Sequence, residues 1–382
     1  MRTVLLIEPY FAGSHRAWAE GYAAASRHRV ELLALPGRFW KWRMQGAAVT
    51  LAEQLLASDL RPDVLLATDM LDLAAFLGLA RTRLADVPVA VYFHENQLAY
   101  PPVPVDPTWS PSRQRRAAAQ DLHFAFVNYT SALAADAVLW NSAYNRDSFL
   151  AALPNLLKHY PDFNDLHNAA RIAAKSQVLP LGLDLARLDR WRPAEPRQGP
   201  LLILWNHRWE HDKGPEEFFA VLRRLVDQGL PFRVAILGEN PRQEPTEFTQ
   251  ARAWLGDRVA QFGYVEEPAA YAAWLWRADV VVSCARHEFF GASVVEAMYC
   301  EAWPLLPQRL VYPELIPPAW HTACLYRDAD DLARRLAWAA QHPDEVRQRS
   351  LRPVAAQFDW RCLAPRYDDL LEALIPPRSP GG

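Results

Sequence analysis

Short apolar runs alternate with helical patterns along most of the chain. In the first half these runs occupy residues 4–7, 30–35, 64–68, 87–93, 137–142 and 178–183. Apolar runs of about four to eight residues, with helices between them, are typical of buried parallel strands. The pattern therefore predicts a doubly wound α/β domain.

The alternation stops at residues 190–200, RWRPAEPRQGP, a charged and proline-rich segment that we interpret as a linker. It then restarts, with apolar runs at 201–206, 232–238, 259–263, 279–284 and 303–307. Two such series predict two Rossmann-like doubly wound domains that face each other across a central cleft. We expect the domains at 1–190 and 200–355, followed by a C-terminal helix and a frayed tail at 356–382.

Composition narrows the classes of function. The 382 residues are 51% hydrophobic and carry a formal net charge of −3, so any contact with nucleic acid must be local. The four cysteines form no CxxC pair, which favours buried thiols in a reducing compartment. The N-terminal apolar run stops at Glu8, and no window approaches the ~18 apolar residues of a membrane span. We therefore expect a cytoplasmic protein that does not act on a membrane.

The stretch RHEFFGASVVEAMYC at 286–300 follows a predicted strand, at the edge where open α/β sheets bind ligands. Gly291 precedes a helix that we expect to begin near Ala292, and N–H groups at a helix start can bind phosphate. Glu288 and Glu296 also suggest a glycosidase pair, but eight helical residues would separate them by roughly 12 Å. Such pairs need about 5–9.5 Å, so the spacing disfavours a glycosidase. A solvated helix with incidental glutamates is the remaining alternative.

A second candidate is the stretch WNHRWEHDKGPEEF at 205–218, where Arg208 and Lys213 fall in a turn between a strand and a helix. A guanidinium binds phosphate oxygens as a fork, and an ammonium adds a compact charge. Both would stabilise a departing diphosphate, whose negative charge grows as its bond breaks. A surface turn that is merely charged is the alternative.

Two patterns that suggest a metal have other interpretations. Asp328-Ala-Asp330 matches the Asp-x-Asp of metal-dependent transferases, but it precedes a predicted helix and suits an N-cap. His207 and His211 lie in a turn with no third ligand nearby. The sequence therefore predicts no metal cofactor.

Polar residues follow a buried strand of the first domain, in YFHENQLAYP at 92–101. They are His94, Glu95, Asn96 and Gln97. At that edge they need partners, either a substrate or a tight hydrogen-bonded turn. The stretch EPYFAGSH at 8–15 gives a second strand-to-helix turn at Gly13, where glycine permits close approach of the backbone to a ligand.

Residues 36–46, PGRFWKWRMQG, combine aromatic and basic side chains at consecutive positions. These are Arg38, Phe39, Trp40, Lys41, Trp42 and Arg43. Aromatic rings and arginine planes read single-stranded RNA by stacking, so this loop could meet RNA, and Arg113, Arg115 and Arg116 could extend the patch. Alternatively, the rings fold under the basic stems, or the segment forms an edge strand.

Several of these features together resemble retaining glycosyltransferases of the GT-B fold, in the group 4 family. The matched features are Arg208 and Lys213, Gly238, FGYV at 262–265, and Glu288 and Glu296 with seven residues between them. The resemblance implies donor-binding residues Gly13, Gly238, Gly263, Tyr264, Val265, Phe289, Phe290, Gly291, Ala292 and Glu296. It implies catalytic roles for His94, Arg208, Lys213 and Glu288.

Four stretches of the first domain look like the tRNA-queuosine α-mannosyltransferase group: IEPYFAGSHRAWAEG, LPGRFWKWRMQG, YFHENQLAYP and NSAYNRDSFL. This resemblance implies transfer of mannose from GDP-mannose, without a metal, to queuosine in a tRNA anticodon stem-loop, that of tRNA-Asp. The acceptor-side residues would be Arg38, Trp40, Lys41, Trp42, Arg43, Glu95, Asn96, Gln97, Arg113, Arg115 and Arg116. A family 4 transferase acting on a lipid, polysaccharide or small molecule is one alternative. A non-catalytic RNA-binding protein on a transferase scaffold is another.

Overall fold

The computed structural model describes residues 1–100, 110–159, 161–238 and 245–377, without the side chains of residues 111–120. The chain forms two compact units. One comprises Met1–Leu183 and Trp360–Gly382, and the other comprises Asp184–Asp359.

The first unit contains a six-stranded parallel sheet in the order β2-β1-β3-β4-β5-β6. Its strands are β1 (Thr3–Phe11), β2 (Arg29–Pro36), β3 (Val64–Thr68), β4 (Val89–Phe93), β5 (Ala137–Trp140) and β6 (Ser176–Val178). The helices between them are α1 (Gly13–Ala25), α2 (Trp40–Ala57), α3 (Leu73–Leu79), α4 (Arg81–Leu84), α5 (Pro111–Ala134), α6 (Ala143–Leu157) and α7 (Asn168–Ala174). Every residue of β3, β4 and β5 is buried, as parallel strands covered on both faces require.

The second unit repeats this architecture, with the strand order β12-β11-β10-β7-β8-β9. Its strands are β7 (Leu201–Asn206), β8 (Phe232–Leu237), β9 (Val259–Gly263), β10 (Val280–Val282), β11 (Trp303–Pro307) and β12 (Leu325–Tyr326). Its helices are α8 (Pro215–Asp227), α9 (Thr246–Leu255), α10 (Pro268–Arg277), α11 (Ala292–Tyr299), α12 (Tyr312–Leu315), α13 (His321–Cys324), α14 (Ala329–Gln341), α15 (Pro343–Arg347) and α16 (Arg352–Ala355). The prediction of two Rossmann-like doubly wound domains is confirmed.

The boundary between the units differs from the predicted linker. Residues 184–200 belong to the second unit, whose Trp276 indole N–H donates to the Leu188 carbonyl at 2.9 Å. Arg352 also donates to the Asp189 carboxylate at 2.6 Å. Proline and charge mark an interruption of the strand–helix pattern, but they do not show which sheet the interrupted segment packs against.

The C-terminal helix α17 (Trp360–Leu374) is part of the first unit and not of a separate C-terminal region. Its Asp368 accepts a hydrogen bond from the Tyr22 hydroxyl at 2.8 Å, and its Tyr367 hydroxyl accepts from the Trp18 indole at 3.2 Å. These contacts join residues more than 340 positions apart, a pairing that the local pattern cannot reveal. No helix within the described ranges has both the length and the apolar character needed to cross a membrane.

Candidate active site

A buried ion pair in the second unit joins two of the motifs found in the sequence. The turn after β7 carries Lys213, whose Nζ lies 3.3 Å from Glu288 Oε2 and 3.1 Å from Asp212 Oδ2. The same ammonium donates to the His287 carbonyl at 3.0 Å. Burial opposes the Lys213 charge, but the two carboxylates outweigh it and raise the pKa of the ammonium above its ordinary value. Lys213 is therefore a fixed cation.

Glu288 organises the loop that precedes α11. Its Oε1 accepts from the N–H groups of Gly291 at 3.1 Å and Phe290 at 3.4 Å. Burial disfavours the Glu288 charge, but Lys213 and these donors hold the pKa of the carboxyl below its ordinary value. Glu288 is thus ionised at neutral pH and cannot serve as a general acid there. Gly291 has a φ of 89°, which favours glycine at this turn.

Two of the donor-binding residues that the resemblance implies use their N–H groups within the chain. The amides of Phe290 and Gly291 donate to Glu288. Helix α11 begins at Ala292, as predicted, and the first N–H groups of a helix have no acceptor inside it. The amides of Ala292 and the following Ser293 are therefore better placed to receive an anion.

Glu296 is held on both carboxylate oxygens. Tyr271 of α10 donates its hydroxyl to Glu296 Oε2 at 2.7 Å, and Arg187 lies 3.2 Å from Oε1. Asn206, at the end of β7, donates to the Tyr271 hydroxyl at 2.7 Å. Burial and the Glu296 charge raise the pKa of Tyr271 well above its usual range, so the hydroxyl stays protonated and donates. The Glu296 side chain is only 15% exposed, which contradicts the alternative of an incidental, solvated glutamate.

Sequence reasoning missed these partners of Glu296. Tyr271 lies in the middle of an ordinary amphipathic helix, and Arg187 lies in the predicted first domain. Of these three residues, only Asn206 could have been predicted from the sequence, because it is a polar residue at the end of an otherwise apolar run.

Two buried imidazoles surround Lys213. Burial and the nearby ammonium lower the pKa of His207 and of His287 to about 4, so both rings are neutral at physiological pH. Gly238, predicted to bind the donor, has a packing role: a Cβ there would lie 1.8 Å from the His207 carbonyl oxygen. Gly238 therefore lets the end of β8 approach the turn after β7.

The remaining donor-side residues of this unit are more accessible. The Arg208 side chain is 57% exposed and lies 3.2 Å from Glu210. Tyr264 is 64% exposed just beyond β9, between Gly263 with its φ of 107° and the half-buried Val265. An exposed ring beside a flexible backbone position is a suitable border for a nucleobase, which is the role the resemblance implies. Asp328 caps α14 by accepting from the Asp331 N–H, as predicted.

In the first unit, His94 lies at the carboxyl end of β4 among aromatic rings. Its imidazole centroid lies 4.3 Å from that of His15, 4.7 Å from Trp18 and 4.9 Å from Tyr92. The His94 Nε2 is buried and has no hydrogen-bond partner among the described residues. Burial, followed by the neighbouring His15, lowers the pKa of His94 well below its ordinary value.

His15 belongs to a buried ion pair with Glu8 of β1. The His15 Nδ1 lies 3.0 Å from Glu8 Oε2, and Glu8 Oε1 accepts from the Tyr10 N–H at 2.8 Å. Burial opposes the His15 charge, but Glu8 outweighs it and raises the pKa of His15 to about 9. Gly13 begins α1 with a φ of 51°, and a Cβ there would meet no atom within 4 Å. The backbone conformation, and not a lack of space, thus explains why position 13 is a glycine.

Glu8, His15 and His94 also form the one group within the described residues that could hold a metal ion, with donor atoms within 4.8 Å of one another. Histidine nitrogens and carboxylate oxygens are donor types that zinc accepts. However, a metal would have to displace the proton that Glu8 stabilises on His15. We therefore expect the group to bind metal weakly near neutral pH.

Asn96 is a structural residue and not, as expected, an acceptor contact. It is fully buried, and its side-chain amide donates to Asn145 Oδ1 at 2.7 Å and accepts from the Ala99 N–H at 2.7 Å. Neighbouring Gln97 donates its N–H to Asn128 at 2.8 Å. The hydrogen-bonded turn considered for this stretch is therefore present at Asn96, whereas the side chains of Glu95 and Gln97 are half-buried.

The aromatic and basic segment begins helix α2 at Trp40, so the edge-strand alternative is wrong. The alternative in which all three rings fold under is also wrong, because Phe39 is 79% exposed and Trp42 is 60% exposed. Trp40 packs partly against Phe124 of α5, with ring centroids 5.4 Å apart. Lys41 lies 5.4 Å from the Trp40 ring centroid. The start of α2 thus presents two exposed aromatic rings beside basic side chains.

Comparison with known proteins identifies the family. The family described as tRNA-queuosine alpha-mannosyltransferase N-terminal matches residues 3–183, and the family described as glycosyl transferases group 1 matches residues 189–351. The tRNA-queuosine alpha-mannosyltransferase of Drosophila melanogaster is 35% identical over 384 aligned residues, which cover 97% of each chain. The chain belongs to the tRNA-queuosine alpha-mannosyltransferase family. It is accordingly a glycosyltransferase, as predicted.

Other similar proteins share with this chain either a part of the sequence or the fold alone. A GDP-mannose-dependent alpha-(1-6)-phosphatidylinositol dimannoside mannosyltransferase of Mycobacterium tuberculosis is 29% identical over 50% of this chain and 51% of its own. Sucrose-phosphate synthase from Thermosynechococcus elongatus is 16% identical, with a TM-score of 0.65 over 98% of this chain and 99% of its own, and it supports the fold alone. The boundary of the N-terminal family model at residue 183 coincides with the end of the first unit's long segment.

The predicted patch of Arg113, Arg115 and Arg116 lies in helix α5, but the side chains of residues 111–120 lie outside the described residues. Arg38 precedes the exposed start of α2. Arg43 in the first turn of that helix donates to the Pro36 carbonyl at 3.0 Å.

Proposed function

We propose that this protein transfers mannose from GDP-mannose to the cyclopentene diol of queuosine in the anticodon of tRNA-Asp. The observation that carries the proposal is the 35% identity over nearly the whole length of both chains to a tRNA-queuosine alpha-mannosyltransferase. The similarity of half of the chain to a GDP-mannose-dependent mannosyltransferase supports the choice of donor. The exposed rings and basic residues at the start of α2 support an RNA acceptor.

The proposed step needs no protein nucleophile. The bond between the anomeric carbon and the diphosphate oxygen breaks, and a bond to the queuosine hydroxyl oxygen forms on the same face. The hydroxyl proton passes to an oxygen of the departing diphosphate, so that GDP leaves and the α configuration is retained. Arg208 and Lys213 stabilise the growing charge on the diphosphate, with the N–H groups at the start of α11.

Donor recognition is assigned to the network around Glu296. In the proposal the carboxylate accepts hydrogen bonds from the ribose hydroxyls, and Tyr264 borders the base. The contacts from Tyr271 and Arg187 support this assignment, because they orient the carboxylate.

The test is transfer by the purified protein. Queuosine-containing tRNA-Asp is incubated with GDP-mannose, and its digested nucleosides are examined by mass spectrometry, where one added hexose is expected. The same tRNA without queuosine is the matched control and should stay unmodified. EDTA should leave the rate unchanged, since the proposal assigns the diphosphate charge to side chains. Transfer from UDP-glucose but not GDP-mannose, or transfer to tRNA without queuosine, would refute the proposal.

A further inference from the structure

The Glu8–His15 ion pair of the first unit has no part in the proposed step, although it directly contacts His94. Glu8 is fully buried on β1, and its carboxylate holds His15 of α1 at 3.0 Å. The His15 ring in turn lies 4.3 Å from the His94 ring, with 45° between their planes. Burial of a charge costs desolvation free energy, even when the charge is paired. A buried ion pair beside a candidate catalytic residue therefore suggests a role for the pair at that residue.

The backbone of His94 is fixed independently of that pair. Its N–H donates to Asp69 Oδ1 at 2.9 Å, and its carbonyl accepts from the Asn141 side chain at 2.7 Å. The rings of Trp18 and Tyr92 also pack against the His94 imidazole and restrict its movement. The ring position is therefore set by packing, whereas its charge state depends on burial and, next to burial, on the charge of the neighbouring His15.

We propose that Glu8 and His15 are positioning residues that keep His94 neutral, so that its buried Nε2 meets the substrate as part of an uncharged imidazole. A protonated His15 held by Glu8 repels a second proton on the adjoining ring. Neutrality has a chemical purpose, because glycosyl transfer builds positive charge on the sugar and a cationic His94 would oppose it. The charge of His15 is itself balanced by Glu8.

Four other titratable groups lie around the His15 and His94 rings. They are Tyr10 on β1, Asp69 after β3, Tyr92 on β4 and the adjoining Glu95. Burial raises the pKa of the Asp69 carboxyl well above its ordinary value, while the positive His15 opposes that shift. Asp69 and Glu95 both favour the charge on His15. The carboxylates thus strengthen the cation on His15, and His15 in turn excludes a proton from His94.

The test follows the His94 ring directly, in protein labelled with ¹³C at histidine Cε1 and kept in EDTA. His94→Asn assigns the resonance. In the parent the His94 signal should not titrate between pH 8 and pH 5.5. In His15→Gln the titration should move towards higher pH and enter this range, because the repelling cation is gone while burial remains. In His15→Lys, which restores the charge, the signal should again stay constant. His167→Gln, an exposed histidine of the same unit, is the matched control and should leave His94 unchanged.

Transfer activity is the second measurement, and its interpretation rests on the proposed function, whereas the interpretation of the titration does not. In His15→Gln, kcat/KM should fall about tenfold relative to the parent at pH 6, and the deficit should close towards pH 8. Glu8→Gln should shift the profile in the same direction and serves if His15→Gln fails to fold, as judged by circular dichroism. A folded His15→Gln or Glu8→Gln with an unchanged His94 titration overturns the proposal. If the His94 signal titrates as expected but the parent transfers no mannose, the proposed function alone is refuted.

Discussion

At the scale of single residues, Lys213 differs from Arg208 in a way that the sequence does not show. The Lys213 ammonium has three acceptors within 3.3 Å and is 8% exposed, whereas the Arg208 side chain is 57% exposed. Lys213 can reach a diphosphate only by sharing or exchanging a partner. The Arg208 guanidinium is the more accessible of the two cations, and its contact with Glu210 joins two largely exposed side chains.

The two residues should therefore respond differently to substitution. Arg208→Ala should lower turnover roughly 100-fold while the midpoint of thermal unfolding changes less than in Lys213→Ala, because the Arg208 side chain is 57% exposed. Lys213→Ala should lower turnover at least as much and also lower the midpoint, because Glu288 and Asp212 lose their buried cation. Steady-state kinetics and calorimetric melting check both variants. Near-parental turnover in Arg208→Ala would exclude it from the step.

Tyr271 gives a second prediction at this scale. Tyr271→Phe should weaken GDP-mannose binding by about 1 kcal/mol, because Glu296 loses one of the donors that orient it. Asn206→Ala acts through the same hydroxyl, so adding it to Tyr271→Phe should cause little further loss. Titration calorimetry on the two single variants and the double variant measures this coupling. Additive losses would show that Asn206 and Tyr271 act independently.

At the scale of elements, the sequence predicted strands well and the starts of helices less well. The bounds of β3, β7, β9 and β11 equal the predicted runs. Every residue of β3, β7 and β11 is buried, which favours a continuous run of mostly apolar side chains, whereas the edge strand β9 is half-buried throughout. By contrast, only the first residue of the predicted run 178–183 lies in a strand, β6. The two-residue β12 gives no recognisable run at all.

The start of α2 was harder to predict because its first turn breaks the amphipathic pattern. Trp42 is 60% exposed and Trp40 37% exposed, and the buried positions of the helix begin only at Met44. Phe39 precedes the helix with a φ of 52°, a backbone conformation that is uncommon outside glycine. A sequence that departs from local rules in this way is expected at a binding surface.

The exposed rings of α2 carry a prediction about RNA. Trp42→Ala should weaken binding of tRNA by about 1–3 kcal/mol, the range for loss of one stacked base. Phe163→Ala is the matched control, because Phe163 is 92% exposed on another loop of the first unit. Fluorescence anisotropy with labelled tRNA-Asp gives both affinities, and GDP-mannose binding should stay at the parental value in each variant. Equal losses from the two substitutions would indicate a nonspecific effect of exposed aromatic rings.

At the scale of the whole molecule, buried neutral histidines make stability depend on pH. His207 and His287 have pKa values of about 4 when folded and about 6.5 when unfolded, so the unfolded chain binds more protons between these values. Their contribution is complete above pH 6.5 and is lost as the pH falls towards 4. At pH 5 it amounts to a loss of about 2 kcal/mol for each ring.

Thermal unfolding at pH 7 and pH 5 tests this dependence. The parent should melt at a lower temperature at pH 5, and His207→Gln should show a smaller difference between the two conditions. His211→Gln is the control, because that imidazole is exposed and paired with Glu216. An identical pH dependence in the parent and in His207→Gln would contradict the assignment of a neutral, buried ring.

Helix α17 has a consequence for how the protein is made. The first unit is interrupted in sequence, since its last helix is encoded after all 176 residues from Asp184 to Asp359. During synthesis the ribosome completes the second unit while the first still lacks the segment that pairs Asp368 with Tyr22 and Tyr367 with Trp18. The nascent chain must therefore keep a first unit that lacks its last helix from aggregating until the final residues emerge. A premature stop codon near residue 360 would consequently damage the fold at the opposite terminus.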